Sequence, residues 1–293
     1  MSTCVGVEFG FLEIDVEVAC ETGCERISDL LAFCFSALEK RSRAPSLPSV
    51  LDGPLRYHVI RNEAGSKREG QPHAAYALEL PTGGICYAED EGALLFLFEK
   101  DLTTRSQRIR SDLLFLHAAA LGWKGRAALL VGDPGAGKST LTFALLEHGG
   151  LDYLSDELAP VELETLSVHP YPRALWLKRP PPLPWELPSA SRQSSRGIHV
   201  PCAALGAEPA AKPLPLGALF LLEPGVATRR EPTLQRISSG EATVRLFANL
   251  LNPRGHPSDA LDAALAVVRA VPCFALQPAD LEATRSLVLA ALD

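Results

Sequence analysis

From Leu113 the chain turns almost wholly apolar: Leu113 to Leu121, a Trp123-Lys124-Gly125-Arg126 turn, then Ala127 to Val131. Short apolar runs joined by a glycine turn predict two buried strands. Gly132 to Ser139 then leads directly into LTFALLEH, whose spacing predicts a helix, and Gly149-Gly150 ends it. Glycine is the cheap residue at that end because it takes left-handed backbone without steric penalty. Leu151 to Ser155 resumes as a strand and stops at Asp156-Glu157. The predicted order is strand, glycine loop, helix, strand, acidic pair.

The N-terminal third reads differently. It holds an apolar segment at Ile27 to Leu38, a polar stretch near Arg61 to Gln71, and an alternating run from His73 to Leu80. After Pro81 to Gly84 comes Ile85 to Ala88, so two strands flank a glycine-bearing turn as a hairpin. Glu91 to Arg110 has apolar residues at helical spacing and a basic end. These signals predict a small α+β module over residues 1–110 and a second domain over 111–293. Within the latter, Arg179 to Pro188 is too proline-rich for helix or central strand and predicts an extended connector. Gly217 to Glu223 predicts a buried strand, and Glu241 to Leu251 and Ser258 to Ala270 predict amphipathic helices.

Composition narrows the classes. At 293 residues, 47% hydrophobic and 22% charged, the chain has the make-up of an ordinary globular protein with room for one or two cores. A formal net charge of -7 argues against a general nucleic-acid binder, which needs a basic face. No stretch reaches the roughly 18 apolar residues of a membrane span, and MSTCVGVEFGFLEID lacks the basic start of a signal peptide. The expectation is a soluble, cytoplasmic protein without a membrane partner. Seven cysteines without C-x-x-C spacing fit reduced thiols; Cys20 and Cys24 have no second pair to complete a zinc site.

The chemistry concentrates in Gly132-Asp133-Pro134-Gly135-Ala136-Gly137-Lys138-Ser139, which fits G-x-x-x-x-G-K-[ST] at every required position and is followed by Thr140. Glycines let successive N–H groups turn towards phosphate oxygens, and the helix behind them presents its positive end. Lys138 supplies a mobile cation for the β- and γ-phosphates and Ser139 a hydroxyl for Mg²⁺, so ATP and Mg²⁺ are the expected ligands. Asp156 follows Lys138 after one short helix and one return strand, which places Asp156-Glu157 beside the loop. Carboxylates there can ligate Mg²⁺ or take a proton from an acceptor hydroxyl. His117 lies on the strand that pairs, through the turn, with the strand leading to Gly132, and nears the loop if the register allows.

In these segments the chain resembles the C-terminal domain of the HPr kinase/phosphorylase family, and more closely the HPr-kinase-related proteins of peptide-modification gene clusters. The carriers are LHAAALGWKGRAALLVGDPGAGKSTL, YLSDELAPV and YPRALWLK, over roughly residues 113–178. The resemblance implies an α/β P-loop kinase core with a mixed sheet, related to that of ATP-dependent phosphoenolpyruvate carboxykinase, acting on a serine of a protein or peptide. It implies that Lys138 and Ser139 hold nucleotide and metal, that Asp156 is the catalytic base, and that His117 matches the histidine before the loop. Glu157 stands where the bifunctional enzymes have Asp. Arg173, in the Pro172-Arg173 pattern of related chains, is either a two-pronged phosphate donor or an exposed loop arginine. The bifunctional enzymes' Glu-Ile-Arg-Gly-Leu-Gly type stretch is not present, Ser195-Arg196-Gly197-Ile198 being the nearest and lacking its acid. Phosphorylase activity and recognition of HPr are therefore not carried over. A metabolite kinase and an ATPase or nucleotide switch stay open as alternatives, as does a homo-oligomer, which the ring-forming relatives suggest.

Overall fold

The computed structural model describes residues 5–42, 51–62, 74–223, 231–253 and 260–293. The fold is mixed α/β, and the chain divides into two compact units, residues 1–109 with 191–199, and residues 110–190 with 200–293. Among the described residues no helix is long and apolar enough to cross a membrane.

The first unit is a five-stranded sheet in the order β1-β2-β3-β4-β5. β1 (Val5–Phe11) and β2 (Ile14–Cys20) form an antiparallel hairpin with Phe11 opposite Ile14. Its turn is made by Leu12 and Glu13, both at positive φ (52° and 63°). Helix α1 (Glu25–Ser42) crosses over to β3 (Leu55–Arg61), which runs parallel to β2. The predicted hairpin is present as β4 (Tyr76–Glu79) and β5 (Ile85–Ala88), while His73 at the start of that run lies outside the described residues. Helix α2 (Glu91–Ile109) buries Leu94, Leu95, Phe98 and Leu102. Phe98 stands edge-on to Phe35 and Tyr57, at 5.5 and 4.8 Å between centroids, and Phe35 stacks on Phe9 at 4.6 Å. Such aromatic pairs add to the area they bury, and they fix α1, α2 and the sheet as one core.

The second unit begins with β6 (Leu113–Leu116), β7 (Ala118–Trp123), β8 (Arg126–Val131) and α3 (Lys138–His148). It continues through β9 (Asp152–Ser155), β10 (Ala159–Glu162), β11 (Ser167–Val168) and β12 (Leu175–Leu177). The hairpin of β13 (Arg192–Ser194) and β14 (Gly197–Val200) falls mostly in the first unit. Then follow β15 (Leu214–Leu222), β16 (Thr233–Arg236), α4 (Ser239–Phe247), α5 (Ala260–Ala270), β17 (Cys273–Gln277) and α6 (Leu281–Leu292). The sheet order is β6-β10-β11-β15-β8-β7-β9, with β17 on β15 and β16 on β17. β8, β15 and β17 are parallel; β7 runs against them, and β9, antiparallel to β7, runs with them again. Buried Leu129, Val131, Leu219 and Leu221 of the parallel strands share one core cluster with Leu246 of α4 and Val267 of α5.

Two expectations need correction. Leu113 to Leu121 is two strands, not one: β6 pairs with β10, β7 pairs with β8, and the chain changes partner at His117. The His117 N–H donates to Asn249 O at 2.9 Å, a loop carbonyl that stands in for a strand neighbour. The helix predicted over Glu241 to Leu251 starts at Ser239 and ends at Phe247. Ser238 caps it through the Glu241 N–H, and Leu250 bridges to Leu116 instead of continuing the helix. The segment predicted over Ser258 to Ala270 is helical from Ala260, Ser258 lying outside the described residues.

Candidate functional site

The loop at 132–139 leaves β8 at its carboxyl end, where ligands of open parallel sheets bind, and turns directly into α3. Gly137, the N-cap, has φ 96°, no side chain caps the helix, and its first turn carries no acid. Helix N–H groups are orphans at that end, so this terminus offers unclaimed donors and a positive dipole. Gly132 is needed for a different reason: a Cβ there would sit 3.1 Å from both Cβ and O of Leu222. Lys138 is buried and its Nζ donates to Gly132 O at 2.6 Å and to Asp133 O at 3.3 Å. Burial lowers its pKa, against the carboxylates of Glu157 and Asp133, which raise it. A desolvated ammonium held by carbonyls alone gains from an incoming anion. Asp133, Pro134 and Gly135 are exposed at the loop tip, and Ser139 and Thr140 are half-buried.

The register of the β7–β8 hairpin puts Ala118 opposite Val131, so His117, one residue earlier, falls across from Gly132 at the mouth of the loop. From there its Nε2 lies 3.4 Å from Oε2 of Glu157. Glu157 follows the end of β9, and its side chain keeps 33% of its surface open. Burial pushes its carboxyl up, but the His117 hydrogen bond and the charges of Arg173, His117 and Lys138 outweigh this and hold it below the usual glutamate value.

Asp156 is enclosed instead. It has no exposed surface. Its Oδ1 accepts from the Tyr153 hydroxyl at 3.1 Å and lies 3.7 Å from Arg173 Nη2, and its Oδ2 accepts from the Trp176 N–H at 2.9 Å. Burial raises its pKa, with the Arg173 guanidinium pulling down and losing. Arg173 is itself buried and donates to Ala174 O at 3.1 Å, so it sits with Asp156 rather than open on a loop.

The structure thus brings His117, Lys138, Glu157 and the 132–139 loop to one edge of the sheet, with Asp156 and Arg173 as a buried pair next to them. Sequence reasoning missed three contributors. Tyr153 and Trp176 anchor Asp156, and only their adjacency to YLSDE and RALWLK hints at it. Lys178 stands over the Trp176 ring, Nζ 5.7 Å from the centroid, and its charge reaches Lys138, pushing that ammonium further down. Among the described residues no group of three or more His, Cys, Asp or Glu forms a metal cluster. The half-buried Ser139 hydroxyl is an oxygen donor of the hard kind that Mg²⁺ takes, alongside phosphate and water.

No protein-family model matches the chain, and no curated protein matches it. Among solved structures it is similar to the Hpr(Ser) kinase/phosphatase from Coxiella burnetii, at 12% identity and a TM-score of 0.33, over 59% of this chain and 85% of that one. A superposition that loose carries no structural argument.

Proposed function

We propose that the second unit is an ATP- and Mg²⁺-dependent phosphotransferase that moves the γ-phosphate to a hydroxyl, most simply a serine of a protein or peptide. The observation that carries this reading is the buried Lys138, bonded only to loop carbonyls, beside an uncapped helix N-terminus. Donors of that kind, preorganised at a sheet's carboxyl edge, suit a triphosphate. The nearby Glu157 and His117 supply what a bare anion site lacks, a carboxylate and an imidazole for an acceptor hydroxyl. A magnesium ion bound there would bridge phosphate oxygens and offset their charge.

The serine acceptor, like Lys138 and Ser139 as nucleotide and metal residues, comes from the resemblance in LHAAALGWKGRAALLVGDPGAGKSTL, YLSDELAPV and YPRALWLK. The experiment is incubation of purified protein with γ-labelled ATP and Mg²⁺, alone and with lysate, followed by mass spectrometry of labelled species. A labelled serine peptide or protein is expected. A labelled metabolite would replace the acceptor class, and release of free phosphate alone would replace the kinase by an ATPase.

A further inference from the structure

We infer that the acidic pair divides its work: Glu157, oriented by His117, is the carboxylate that meets the acceptor hydroxyl, and Asp156 is a positioning residue. The inference rests on the phosphotransferase reading above. It reverses the expectation that the first acid of the pair is the base.

Geometry separates the two. A base must come within hydrogen-bond reach of the proton it takes. Asp156 has no surface to offer, and both its oxygens are claimed by Tyr153, Arg173 and the Trp176 N–H. What that arrangement does is structural: the residue after β9 is tied to β12 through the main chain of Trp176. Glu157 is one residue further on and a third exposed. One of its oxygens is 3.4 Å from His117 Nε2, and its charge is the first among those acting on Lys138. It therefore lies close enough to the cation that would hold the γ-phosphate for the two charges to act on one another.

Basicity alone favours Asp156, whose carboxyl is raised while that of Glu157 is lowered. Phosphoryl transfer goes through a loose transition state, however, in which orientation of the nucleophile outweighs early proton removal. Reach then decides. In the step proposed, the acceptor oxygen bonds to the γ-phosphorus, the bond from that phosphorus to the β,γ-bridging oxygen breaks, and ADP departs. The hydroxyl proton passes to Glu157.

Two measurements test this. The first needs no turnover: carbodiimide with glycine ethyl ester, followed by peptide mass spectrometry, with and without Mg–ATP. Glu157 is expected to label at least tenfold faster than Asp156 and to be shielded by Mg–ATP; labelling of Asp156 with Glu157 spared would overturn the assignment. The second follows γ-phosphate release from Mg–ATP to water, which stands in for the acceptor. Glu157→Gln is expected to lower kcat about a hundredfold with KM for ATP held and the protein still folded. Asp156→Asn is expected to lower the thermal midpoint, with a smaller fall in kcat and KM for ATP kept. His117→Asn is expected to lower kcat with KM for ATP and the thermal midpoint little changed, because Glu157 loses the partner that orients it. A folded Asp156→Asn protein that loses all turnover while Glu157→Gln keeps it would sink the inference. Absence of any wild-type turnover would instead count against the phosphotransferase reading, with the labelling result still deciding between the two acids.

Discussion

The ammonium of Lys138 turns back on the carbonyl oxygen of Gly132, 2.6 Å away, across the loop that both residues frame. The contact holds a cation ready without spending it on a carboxylate. Lys138→Met removes a desolvated charge, so the nucleotide-free protein should lose no thermal stability. The same variant should lose phosphate transfer by about a hundredfold or more, as when one preorganised donor is deleted. Thermal melts paired with γ-labelled ATP turnover check both halves, and near-native turnover would remove Lys138 from the site.

Gly137 gives a second handle on the loop. Its φ of 96° lies in the left-handed region, while a Cβ placed there would meet nothing within 4 Å. The penalty of Gly137→Ala is then backbone strain without a clash, roughly 1–2 kcal/mol. Urea denaturation should show that loss, together with weaker stabilisation by Mg–ATP, because the N–H groups at the head of α3 are re-aimed. An unchanged midpoint would mean that the loop relaxes freely.

The strongest local signals were the ones legible in sequence. A run of apolar residues ending in Gly132 and a glycine pair ending α3 have few alternative readings, and both are where expected. The β4–β5 hairpin was legible for the same reason, its glycine turn. The β1–β2 hairpin was not, because its turn uses Leu12 and Glu13 at positive φ where Asn-Gly or Asp-Gly would announce it. The break at His117 was hidden too: LLFLHAAAL is apolar throughout, and the change of strand partner depends on Asn249, Leu250 and Asn252, more than 130 residues away. As for the site, the pattern named the residues but not their orientation. Asp156 and Glu157 are neighbours in the chain, yet one is fully buried and the other a third exposed, a distinction that the packing of Tyr153, Arg173 and Trp176 around Asp156 creates.

Asn252 shows how that distant segment is fixed. Its Oδ1 accepts from the Phe115 N–H at 2.9 Å and its Nδ2 donates to Leu113 O at 2.8 Å, all of it buried. Asn252→Ala leaves a buried donor and a buried acceptor unpaired, at about 1–3 kcal/mol for each group. Chemical denaturation should register a loss of that order. Loss of His117 alignment should follow, seen as a lower kcat with KM for ATP kept.

The acid pair also predicts a pH dependence. Glu157 has a folded pKa below 4.5, its ordinary value. The stability it contributes is complete above that value and is lost as pH falls through the lower folded one. The gap in unfolding free energy between wild type and Glu157→Gln should be constant from neutrality to about pH 5.5 and close below 4.5. Asp156 has the opposite sign. Its raised pKa means that ionisation opposes folding, so its stabilising effect is greatest below 3.8 and fades as pH rises through the folded value. A Glu157→Gln gap that widens on acidification would contradict the assignment.

Asp156 and Arg173 are 3.7 Å apart with side chains 0% and 4% exposed. Removing one member of a buried pair strands the other, which typically costs about 3–5 kcal/mol. Asp156→Ala should therefore be severely destabilising, and so should Arg173→Met, each leaving a charge that water cannot reach. The double variant strands neither, and its loss should fall well short of the sum of the singles. A double-mutant cycle by urea denaturation measures the difference, which for residues in contact runs about 0.5–3 kcal/mol. Additive losses would show that Arg173 is held by Ala174 O and its other contacts, independent of Asp156. The tie from the end of β9 to β12 would then rest on the Trp176 N–H and Tyr153 hydroxyl alone, and Tyr153→Phe would become the substitution that most loosens Asp156.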